Sequence, residues 1–551
     1  MESNLKKIAV IGSGPSGLSA ALELHERGYE VDIIDVGNTK NIKDKEFQEQ
    51  LFHKLSAGEK PSKNDMNRLR WGSDKNGLLK QIRELLKYLF SGEINPKMVE
   101  KKHLGSTFSN DDTETEFQLK KNYLPRSFAL GGLSNIWGAA CYPLRDEDYS
   151  DWPIEKSELI PWYRKASGLL GVSGKLDDIQ EVYDWFGDSA DQETLGRQFK
   201  DPRMNSILNK FSAYKELMRN KGICAGRTRL AVNFSSTDEN RCIRCGLCMY
   251  GCPAGAIWSS SGDILKLSEA KQVSYRTGCK VLSFEENDDL VTVRIKTVCD
   301  GSVIERCYSA IFLAAGALGS FKIAALSLGY TGKSSLVENQ MYVVPFKVME
   351  KVKGGDDEPD FAMSELLITT DPSEVSNYPT HTQLYSISEP LLGPAKSIVA
   401  FFPEFLRAML FRYLAKYKIG FVYLNSKDSH RISVSLDSEG DAISIDVEDD
   451  GKGKRTLGKL LEKWKKDLPL IGMKPVSFLA SATPAGFSCH FGGTLPMKES
   501  AGIMETDRKG RLHGTSRIFV VDGSVFPVMP AQNPTLVMMA NSMRVASEAT
   551  F

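Results

Sequence analysis

The first part of the chain alternates between apolar runs and a helical pattern of apolar positions. The run from Ile8 to Ile11 is typical of a short buried strand. Apolar positions over 18–27 recur with helical spacing, and Gly28 ends that helix. A second apolar run over 31–34 leads to Asp35. The pattern therefore predicts a strand, a turn, a helix and a second strand.

The rest of the chain is less regular. Residues 38–120 are polar apart from one amphipathic stretch, Leu78 to Phe90, and predict loops and excursions without a separate core. Residues 279–313 predict a β-meander that closes on a strand at 311–313. Residues 340–480 alternate between strand-like and helix-like patterns and carry no catalytic motif.

Length and charge narrow the class of protein. A chain of 551 residues is too long for one simple core, so we expect two or more domains. Seventy basic residues are balanced by seventy acidic ones, which argues against a nucleic-acid-binding protein. Neither a signal peptide nor an apolar stretch of about 20 residues is visible, so we expect a cytoplasmic protein, with the inner face of the membrane as the alternative location.

A glycine motif joins the first predicted strand to its helix. Its members are Gly12, Ser13, Gly14, Pro15, Ser16 and Gly17. The first glycine permits a tight turn, the second lets the backbone approach a pyrophosphate, and the third allows the helix to pack on the strand. Asp35, 18 residues after Gly17, can accept hydrogen bonds from ribose hydroxyls. The motif predicts dinucleotide binding, with a chance glycine turn as the alternative, and by itself it does not separate FAD from NAD.

Four of the ten cysteines lie within one short segment. Cys242, Cys245, Cys248 and Cys252 have the spacing C-x₂-C-x₂-C-x₃-C, followed by Pro253. This is the bacterial ferredoxin pattern, and we favour a [4Fe–4S] cluster over a [3Fe–4S] cluster. The fourth ligand stays open, because in two-cluster ferredoxins the last cysteine binds the other cluster. Structural zinc and a segment without metal are the alternatives, and we interpret most of the six scattered cysteines as small buried apolar residues.

Four motifs in order along the chain resemble those of the glucose–methanol–choline (GMC) oxidoreductases. The first is the glycine motif at 12–17, and the second is the glycine segment 131–138. The third is 490–497, which begins at His490, and the fourth is 521–527, which leads to Asn533, Pro534 and Thr535. Residues 180–240 and 340–480 show no defensible match, so substrate preference does not carry over.

The resemblance implies FAD as the cofactor. Gly132, Ser134 and Asn135 would lie along the flavin, and Val281 and Ala315 would be further cofactor-binding positions. Asp522 and Gly523 would approach the pyrophosphate and ribityl chain, and Pro534 and Thr535 would begin the last helix near the pyrimidine end of the ring, where a helix N-terminus favours negative charge. Two positions depart from the family: Asp35 stands where Glu is common, and Gly523 where Ala is.

His490 and Asn533 match the catalytic pair of the family. Removing a hydride from a carbinol carbon requires that the hydroxyl proton also depart, and a neutral imidazole is suited to accept it near pH 7. The Asn533 amide would orient the hydroxyl. The alternatives are a buried structural histidine and an asparagine that only caps the final helix.

The predicted architecture is α/β, with a Rossmann-type FAD-binding domain and a discontinuous substrate-binding α+β domain. We expect the FAD-binding domain over 1–345, with the iron–sulfur insertion near 236–262 and cap elements near 150–214. The substrate-binding domain would span 346–480, and 481–551 would return to the FAD-binding domain.

These features predict an FAD-dependent dehydrogenase that oxidises a sugar, a polyol or a hydrophobic alcohol. Electrons would leave through the cluster to a one-electron acceptor, either a protein or a quinone, and not to oxygen. Two alternatives remain: a reductase in which a reduced carrier feeds the cluster, and a non-catalytic electron-transfer subunit.

Residues 401–418 predict a helix with two apolar rows and several basic side chains. Phe401, Phe405, Met409, Tyr413 and Tyr417 recur every four residues. The helix either rests on a membrane surface or packs against the substrate-binding domain.

Overall fold

The computed structural model describes residues 6–72, 102–108, 124–174, 176–184, 186–187, 201–350, 354, 359–437, 439–440 and 442–551. The amphipathic stretch at 78–90 and part of the predicted cap, at 188–200, lie outside the described residues.

The strands are β1 (Lys7–Ile11), β2 (Glu30–Ile34), β3 (Ile223–Arg227), β4 (Val273–Arg276), β5 (Cys279–Glu286), β6 (Val291–Thr297), β7 (Val303–Tyr308), β8 (Ala310–Leu313), β9 (Ser334–Glu338), β10 (Met341–Val348), β11 (Leu366–Thr370), β12 (Thr380–Ser386), β13 (Tyr417–Tyr423), β14 (Arg431–Leu436), β15 (Ile443–Glu448), β16 (Met473–Pro475), β17 (Ser481–Ala482), β18 (Phe491–Gly492) and β19 (Ile518–Val520).

The α-helices are α1 (Pro15–Glu26), α2 (Ile42–Ser56), α3 (Lys63–Trp71), α4 (Lys156–Leu170), α5 (Pro202–Ala213), α6 (Lys215–Asn220), α7 (Ser260–Leu267), α8 (Gly316–Leu328), α9 (Lys396–Val399), α10 (Glu404–Leu414), α11 (Lys452–Asp467) and α12 (Thr535–Glu548). Short 3₁₀ turns, among them Gly132–Asn135, Cys248–Tyr250 and Gly523–Val525, connect several of these elements.

A parallel sheet in the order β19-β8-β1-β2-β4 forms the dinucleotide-binding part of the fold. Its central strands are mainly apolar and almost wholly buried, as expected for a parallel sheet covered on both faces, and the buried Asp32 of β2 is paired with Arg276. The carboxyl ends of β1, β2 and β8 meet at one edge, where ligands bind in folds of this kind. The predicted α/β Rossmann class is confirmed.

A second, seven-stranded sheet faces the dinucleotide-binding part across the cavity described below. Its order is β16-β10-β13-β12-β11-β3, and β17 pairs with β10. The sheet draws on chain before residue 346, because β3 pairs with β11 and β10 begins at Met341. On α11, Trp464 is fully buried against Phe346, with ring centroids 5.4 Å apart, and fixes the helix to this sheet.

Two smaller sheets complete the fold. The predicted meander forms β5-β6-β7, and β8 then joins the parallel sheet. The other small sheet has the order β15-β14-β9-β18 and ends next to His490, which precedes β18. The last helix, α12, packs on α1, and Ser542 Oγ donates to the Ser16 carbonyl at 2.7 Å.

Three sequence-based predictions need correction. Residues 38–120 were predicted to form loops without a separate core, but they include α2 and α3, and buried side chains of these helices take part in a small apolar cluster of their own. The cluster consists of Phe47, Leu51, Leu69, Leu104, Leu247 and Tyr250.

The helix predicted over 401–418 is shorter, because α10 ends at Leu414 and Tyr417 begins β13. Lys418, the last residue of the predicted helix and one of its basic side chains, is buried in β13 and forms an ion pair with Asp201, the N-cap residue of α5. Most of the six scattered cysteines were expected to be buried, but only Cys141 and Cys224 are, whereas Cys279 and Cys489 are half-buried and Cys299 and Cys307 are exposed. Among the described residues, no helix has the length and apolar character needed to cross a membrane.

Candidate active site

One large cavity lies between the edge of the parallel sheet and the second sheet. Its volume is about 1760 Å³, above the roughly 300–1,000 Å³ of an ordinary small-molecule site. The predicted cofactor-binding residues that line it are Gly12, Gly14, Pro15, Ser16, Asp35, Gly132, Ser134, Asn135, Val281, Ala315, Asp522, Gly523, Pro534 and Thr535. His490 and Asn533 line the same cavity.

The three motif glycines have separate roles in the structure. Gly12 has φ +108°, and a Cβ there would lie 2.4 Å from the Ala314 carbonyl oxygen. Gly17 does not line the cavity, and a Cβ there would lie 2.0 Å from the Gly12 carbonyl oxygen. A Cβ on Gly14 would meet no protein atom within 4 Å. Gly12 and Gly17 are therefore required by packing, whereas Gly14 keeps the cavity wall open for a ligand.

Three helices begin at the cavity without a hydrogen bond to the side chain of their own N-cap residue. The N-cap residues of α1, α8 and α12 are Gly14, Ala315 and Pro534, and none makes a side-chain hydrogen bond to its helix. The amide groups of a first helical turn need partners, and anions supply them. This arrangement fits a dinucleotide with a negatively charged pyrophosphate.

Asp35 lies at the end of β2 and faces the cavity. Burial raises the pKa of its carboxyl group to about 6, although hydrogen bonds from Ser13 and Tyr275 act in the opposite direction. Ser13 Oγ also accepts a hydrogen bond from Gly131 N at 2.9 Å, so Ser13 links Asp35 to the glycine segment. The carboxylate is placed to accept hydrogen bonds from a ribose.

Asp522 lines the cavity but uses its carboxylate on the protein itself. Its oxygens accept hydrogen bonds from Ser320 Oγ at 2.5 Å, from Gly316 N at 2.8 Å and from Ser524 N at 2.9 Å. Burial raises the pKa of this carboxyl group. The side chain fixes the start of α8 against the turn Gly523–Val525, and Gly523, the first residue of that turn, lines the cavity.

His490 and Asn533 are brought together from segments 43 residues apart. Asn533 Nδ2 lies 3.1 Å from His490 Nε2. The turn before His490 contains Cys489 at φ +60°, a conformation that is uncommon for a residue other than glycine. Ser488 holds this turn, because its Oγ accepts from His490 N at 3.1 Å and donates to buried Glu338 at 2.7 Å.

The hydrogen bonds of Asn339 define the tautomer of His490. Asn339 Nδ2 lies 2.9, 3.2 and 3.3 Å from the carbonyl oxygens of Pro530, Ala531 and Gln532, so this end of the amide is the donor. Asn339 Oδ1 therefore faces His490 Nδ1, at 3.2 Å, as an acceptor. Nδ1 must carry the proton, and the lone pair is on Nε2. In the absence of substrate, Asn533 Nδ2 donates to that lone pair.

A further polar layer orients the Asn533 amide. Gln383 Nε2 donates to Asn533 Oδ1, and Gln383 Oε1 accepts from Tyr385 OH at 2.9 Å. The Tyr423 ring packs beside the imidazole, with ring centroids 5.1 Å apart. Sequence reasoning missed Asn339, Gln383 and Tyr423, because they lie in strands and loops that carry no motif.

The four clustered cysteines lie on one loop that is folded around its thiol groups. Arg244 and Gly246 have φ +53° and +71°, and Ala256 N donates to Cys252 Sγ at 3.2 Å. Main-chain amides also interact with the sulfurs of Cys242, Cys245 and Cys248. Burial raises the pKa of all four thiols, that of Cys245 to about 12, so a bound metal would be needed to hold them as thiolates.

Within the described part of the chain, no three His, Cys, Asp or Glu side chains are placed to hold a single metal ion. Structural zinc would require four sulfurs about 2.3 Å from one ion. In a [4Fe–4S] cluster each iron takes one thiolate, so the sulfurs need not converge on a point. Four thiols with amide donors directed at them match the donor set of such a cluster.

The cysteine loop reaches the large cavity. Cys248 and Cys252 line it, as do Met249 and Tyr250 between them. The candidate cluster site is therefore next to the dinucleotide site.

The parallel sheet, the helix N-termini at the cavity and the paired histidine and asparagine are the features expected of a dinucleotide-binding site with a base beside it. Residues 418–542 match the family model described as GMC oxidoreductase. Residues 10–53 match the NAD(P)-binding Rossmann-like domain, and residues 236–258 match the 4Fe–4S binding domain. The resemblance to the GMC oxidoreductases is thereby confirmed, and it supports FAD as the cofactor.

The chain is similar to two proteins from Streptomyces. It is 30% identical over 117 residues to paromamine 6'-oxidase of Streptomyces fradiae, in a region that spans 21% of each chain. It is 22% identical over 455 residues to 6'''-hydroxyparomomycin C oxidase of Streptomyces lividus, which covers 76% of this chain and 78% of that one.

The fold is also similar to that of a solved structure. The match to pyridoxine 4-oxidase from Mesorbium loti covers 98% of both chains, with a TM-score of 0.53 and 13% identity. All three of these proteins are called oxidases, so the comparisons do not support the expectation that oxygen is excluded as the electron acceptor.

Proposed function

We propose that the protein is an FAD-dependent oxidoreductase that oxidises an alcohol to a carbonyl compound. The observation that carries the proposal is the His490–Asn533 pair, which faces the same cavity as the dinucleotide-binding loop and has its basic nitrogen defined by Asn339.

His490 is the base in this proposal. Nε2 of His490 takes the hydroxyl proton of the substrate, because Nδ1 already carries a proton donated to Asn339. Asn339 lies on the far side of the ring, so the imidazolium formed in the reaction keeps that hydrogen bond. General-base assistance of this kind is typically worth about 10²–10⁴ in rate.

Asn533 positions the alcohol. The hydroxyl group would replace the direct contact between Asn533 Nδ2 and His490 Nε2, and would then donate to the histidine and accept from the amide. Gln383 holds the opposite end of the Asn533 amide and so fixes the direction of its N–H groups. Restricting the alcohol to one orientation lowers the barrier further.

The second sheet supplies the substrate side of the cavity. The apolar residues of this wall are Met341, Val343, Met363, Ile419 and Phe421. Polar groups are concentrated near His490, in Gln383 and Tyr385. This division favours an alcohol with one reacting hydroxyl group on an apolar body over a sugar or polyol, which would leave hydroxyl groups unpaired against the apolar wall.

Bound FAD would supply the acceptor of the hydride at N5 of its ring. A bound iron–sulfur cluster would supply a one-electron carrier, held by Cys242, Cys245, Cys248 and Cys252. The entry of Cys248 and Cys252 into the cavity wall supports a one-electron route to a partner protein or quinone. The oxidase names of the relatives favour oxygen as the second candidate acceptor.

The test of the reaction is anaerobic mixing of the FAD-loaded protein with a panel of alcohols. Apolar primary and secondary alcohols should bleach the flavin bands, and H490N, which keeps a polar side chain without a base, should slow bleaching by about 10²-fold or more. H25N is the matched control, because His25 lies in the last turn of α1 and does not line the cavity. Flavin that no alcohol bleaches would contradict the proposal.

The acceptor is tested separately. About four irons and four acid-labile sulfides per chain, with faster reoxidation by a one-electron dye than by oxygen, would support the cluster route. Flavin without iron and rapid reoxidation by oxygen would support an oxidase.

A further inference from the structure

The segment 396–414 carries a group of large apolar side chains that protrude from the protein. This apolar face consists of Ile398, Phe401, Phe402, Phe405, Leu406, Met409 and Tyr413. Phe401, Phe405, Met409 and Tyr413 are 61, 64, 65 and 58% exposed. The row predicted to be apolar therefore does not pack against the second sheet. A continuous exposed apolar surface of this kind marks a site of interaction.

The opposite side of α10 is fixed to the protein. Phe411 is buried, and the Arg407 guanidinium lies 2.6 Å from the carboxylate of Glu389. Glu389 is fully buried and also binds Arg70 at 2.8 Å and Tyr250 at 2.9 Å. These contacts of Phe411 and Arg407 attach α10 to the protein, and the apolar face on its other side points to the outside.

We propose that the apolar face inserts into the surface layer of a phospholipid bilayer that contains anionic lipids. Side chains that protrude suit a layer of acyl chains that deforms around them, whereas a protein partner would need a deep complementary groove. Arg412 and Lys416 are exposed at the carboxyl end of the face beside Tyr413, and Glu404 is the exposed acidic residue at its other end. Basic and tyrosine side chains beside an apolar face are typical of helices that lie in the interface.

The length of α10 agrees with a helix that lies flat. The helix spans 11 residues, about 16 Å at 1.5 Å per residue, which is roughly half of the ~30 Å hydrocarbon core. The proposal is therefore peripheral attachment to one leaflet.

The apolar face directly follows a part of the cavity wall in the chain. Pro390, Leu391, Gly393 and Lys396 line the cavity and lie directly before the face in the chain. Attachment would hold this wall against the bilayer, from which an apolar alcohol could enter. This entry route rests on the proposed function, whereas attachment to the membrane does not.

The test is flotation of the full-length, FAD-loaded protein with vesicles of phosphatidylcholine alone or with one quarter phosphatidylglycerol. The protein should float with the anionic vesicles. The double variant F405S/M409S should lower the bound fraction at limiting lipid about tenfold or more, because it removes two of the most exposed apolar side chains. K416Q should weaken binding a few-fold, and only to the anionic vesicles.

F478S is the matched control, because Phe478 is 85% exposed and lies outside the apolar face. It should bind vesicles like the unchanged protein. The proposal is overturned if the unchanged protein does not float, or if F405S/M409S floats equally well. It is also overturned if sedimentation velocity shows a dimer that F405S/M409S converts to a monomer, since the face would then join two copies of the chain. Flotation needs no turnover, so failure of the alcohol assay would leave this result unaffected.

Discussion

Replacement of Asn339 tests whether the tautomer of His490 is set by the protein. Asn339 is fully buried, and its Oδ1 is 3.2 Å from His490 Nδ1. N339L keeps the approximate volume and removes the acceptor, so the proton is no longer held on Nδ1. A hydrogen bond of this kind is worth about 0.5–1.5 kcal/mol, which corresponds to a roughly 2- to 13-fold loss of the competent tautomer.

The variant also leaves the carbonyl groups of Pro530, Ala531 and Gln532 without their donor. We therefore expect N339L to lower the free energy of unfolding by about 1–3 kcal/mol, in addition to its effect on the reaction. N339D separates the two effects, because a carboxylate still accepts from Nδ1 and stabilises the imidazolium. The base then stays protonated to higher pH, and the acid limb of the pH–rate profile should move upward.

The assay is the anaerobic rate of flavin bleaching by a saturating alcohol, measured from pH 5 to 9. N339L should be about tenfold slower near neutral pH with flavin content unchanged, and N339D should shift the profile. N425L is the control, because Asn425 is also buried but its side chain accepts from Lys427 N and caps the turn Ser426–Asp428. A rate within twofold of the unchanged protein in N339L, together with an unshifted profile in N339D, would refute the reasoning.

Three further predictions concern the cofactor sites. G14V should fold but bind FAD at least tenfold more weakly, as measured by isothermal titration calorimetry. G12A should lower the thermal midpoint of unfolding even without FAD, as measured by scanning calorimetry, because its Cβ would meet the Ala314 carbonyl at 2.4 Å. Equal effects of the two variants on both quantities would contradict this prediction. The pKa of Asp35 is raised from 3.8 to about 6, so the folded apoprotein binds more protons than the unfolded chain in this range. The free energy of unfolding of the apoprotein should therefore fall as pH rises from 4 to 6. Denaturant titrations should show a weaker fall in D35N. An identical pH dependence of the two proteins would contradict the raised pKa of Asp35. C248A should lower the iron content of anaerobically purified protein by at least half. C141A should leave the iron content unchanged, because Cys141 is a buried cysteine outside the loop. Equal iron content in the two variants would exclude the loop as the cluster site.

The sequence was most informative where local pattern and local structure coincide. The strand, turn, helix and strand of residues 6–35 were predicted correctly, because apolar periodicity and three glycines determine them within one short segment. Gly12 and Gly17 lie so close to neighbouring backbone that no other residue fits, which is why the glycine motif alone predicts this local structure.

The partners of His490 could not be predicted in this way. Asn339 reaches His490 across 151 positions of the chain, and Gln383 reaches Asn533 across 150. Each lies in a segment whose pattern reports only strand or loop, and the contact depends on how β9, β12 and β18 are placed together. The resemblance supplied the pair itself but not the residues that orient it.

The predicted helix at 401–418 illustrates the opposite error. Its four-residue repeat runs through Tyr417, but β13 begins there and pairs with β10 and β12. Pairing within the second sheet prevailed over helical periodicity, and it took Lys418 from the predicted basic face into a buried ion pair with Asp201.

The most direct test of the central claim is a single anaerobic turnover with an apolar alcohol deuterated at the carbinol carbon. If hydride leaves that carbon while His490 takes the proton, bleaching of the flavin should be several-fold slower than with the unlabelled alcohol, and the carbonyl product should form in equal amount to the flavin reduced. If the flavin is unchanged by the alcohol but is bleached by a reduced one-electron carrier, the protein is a reductase and the assignment of alcohol oxidation is wrong.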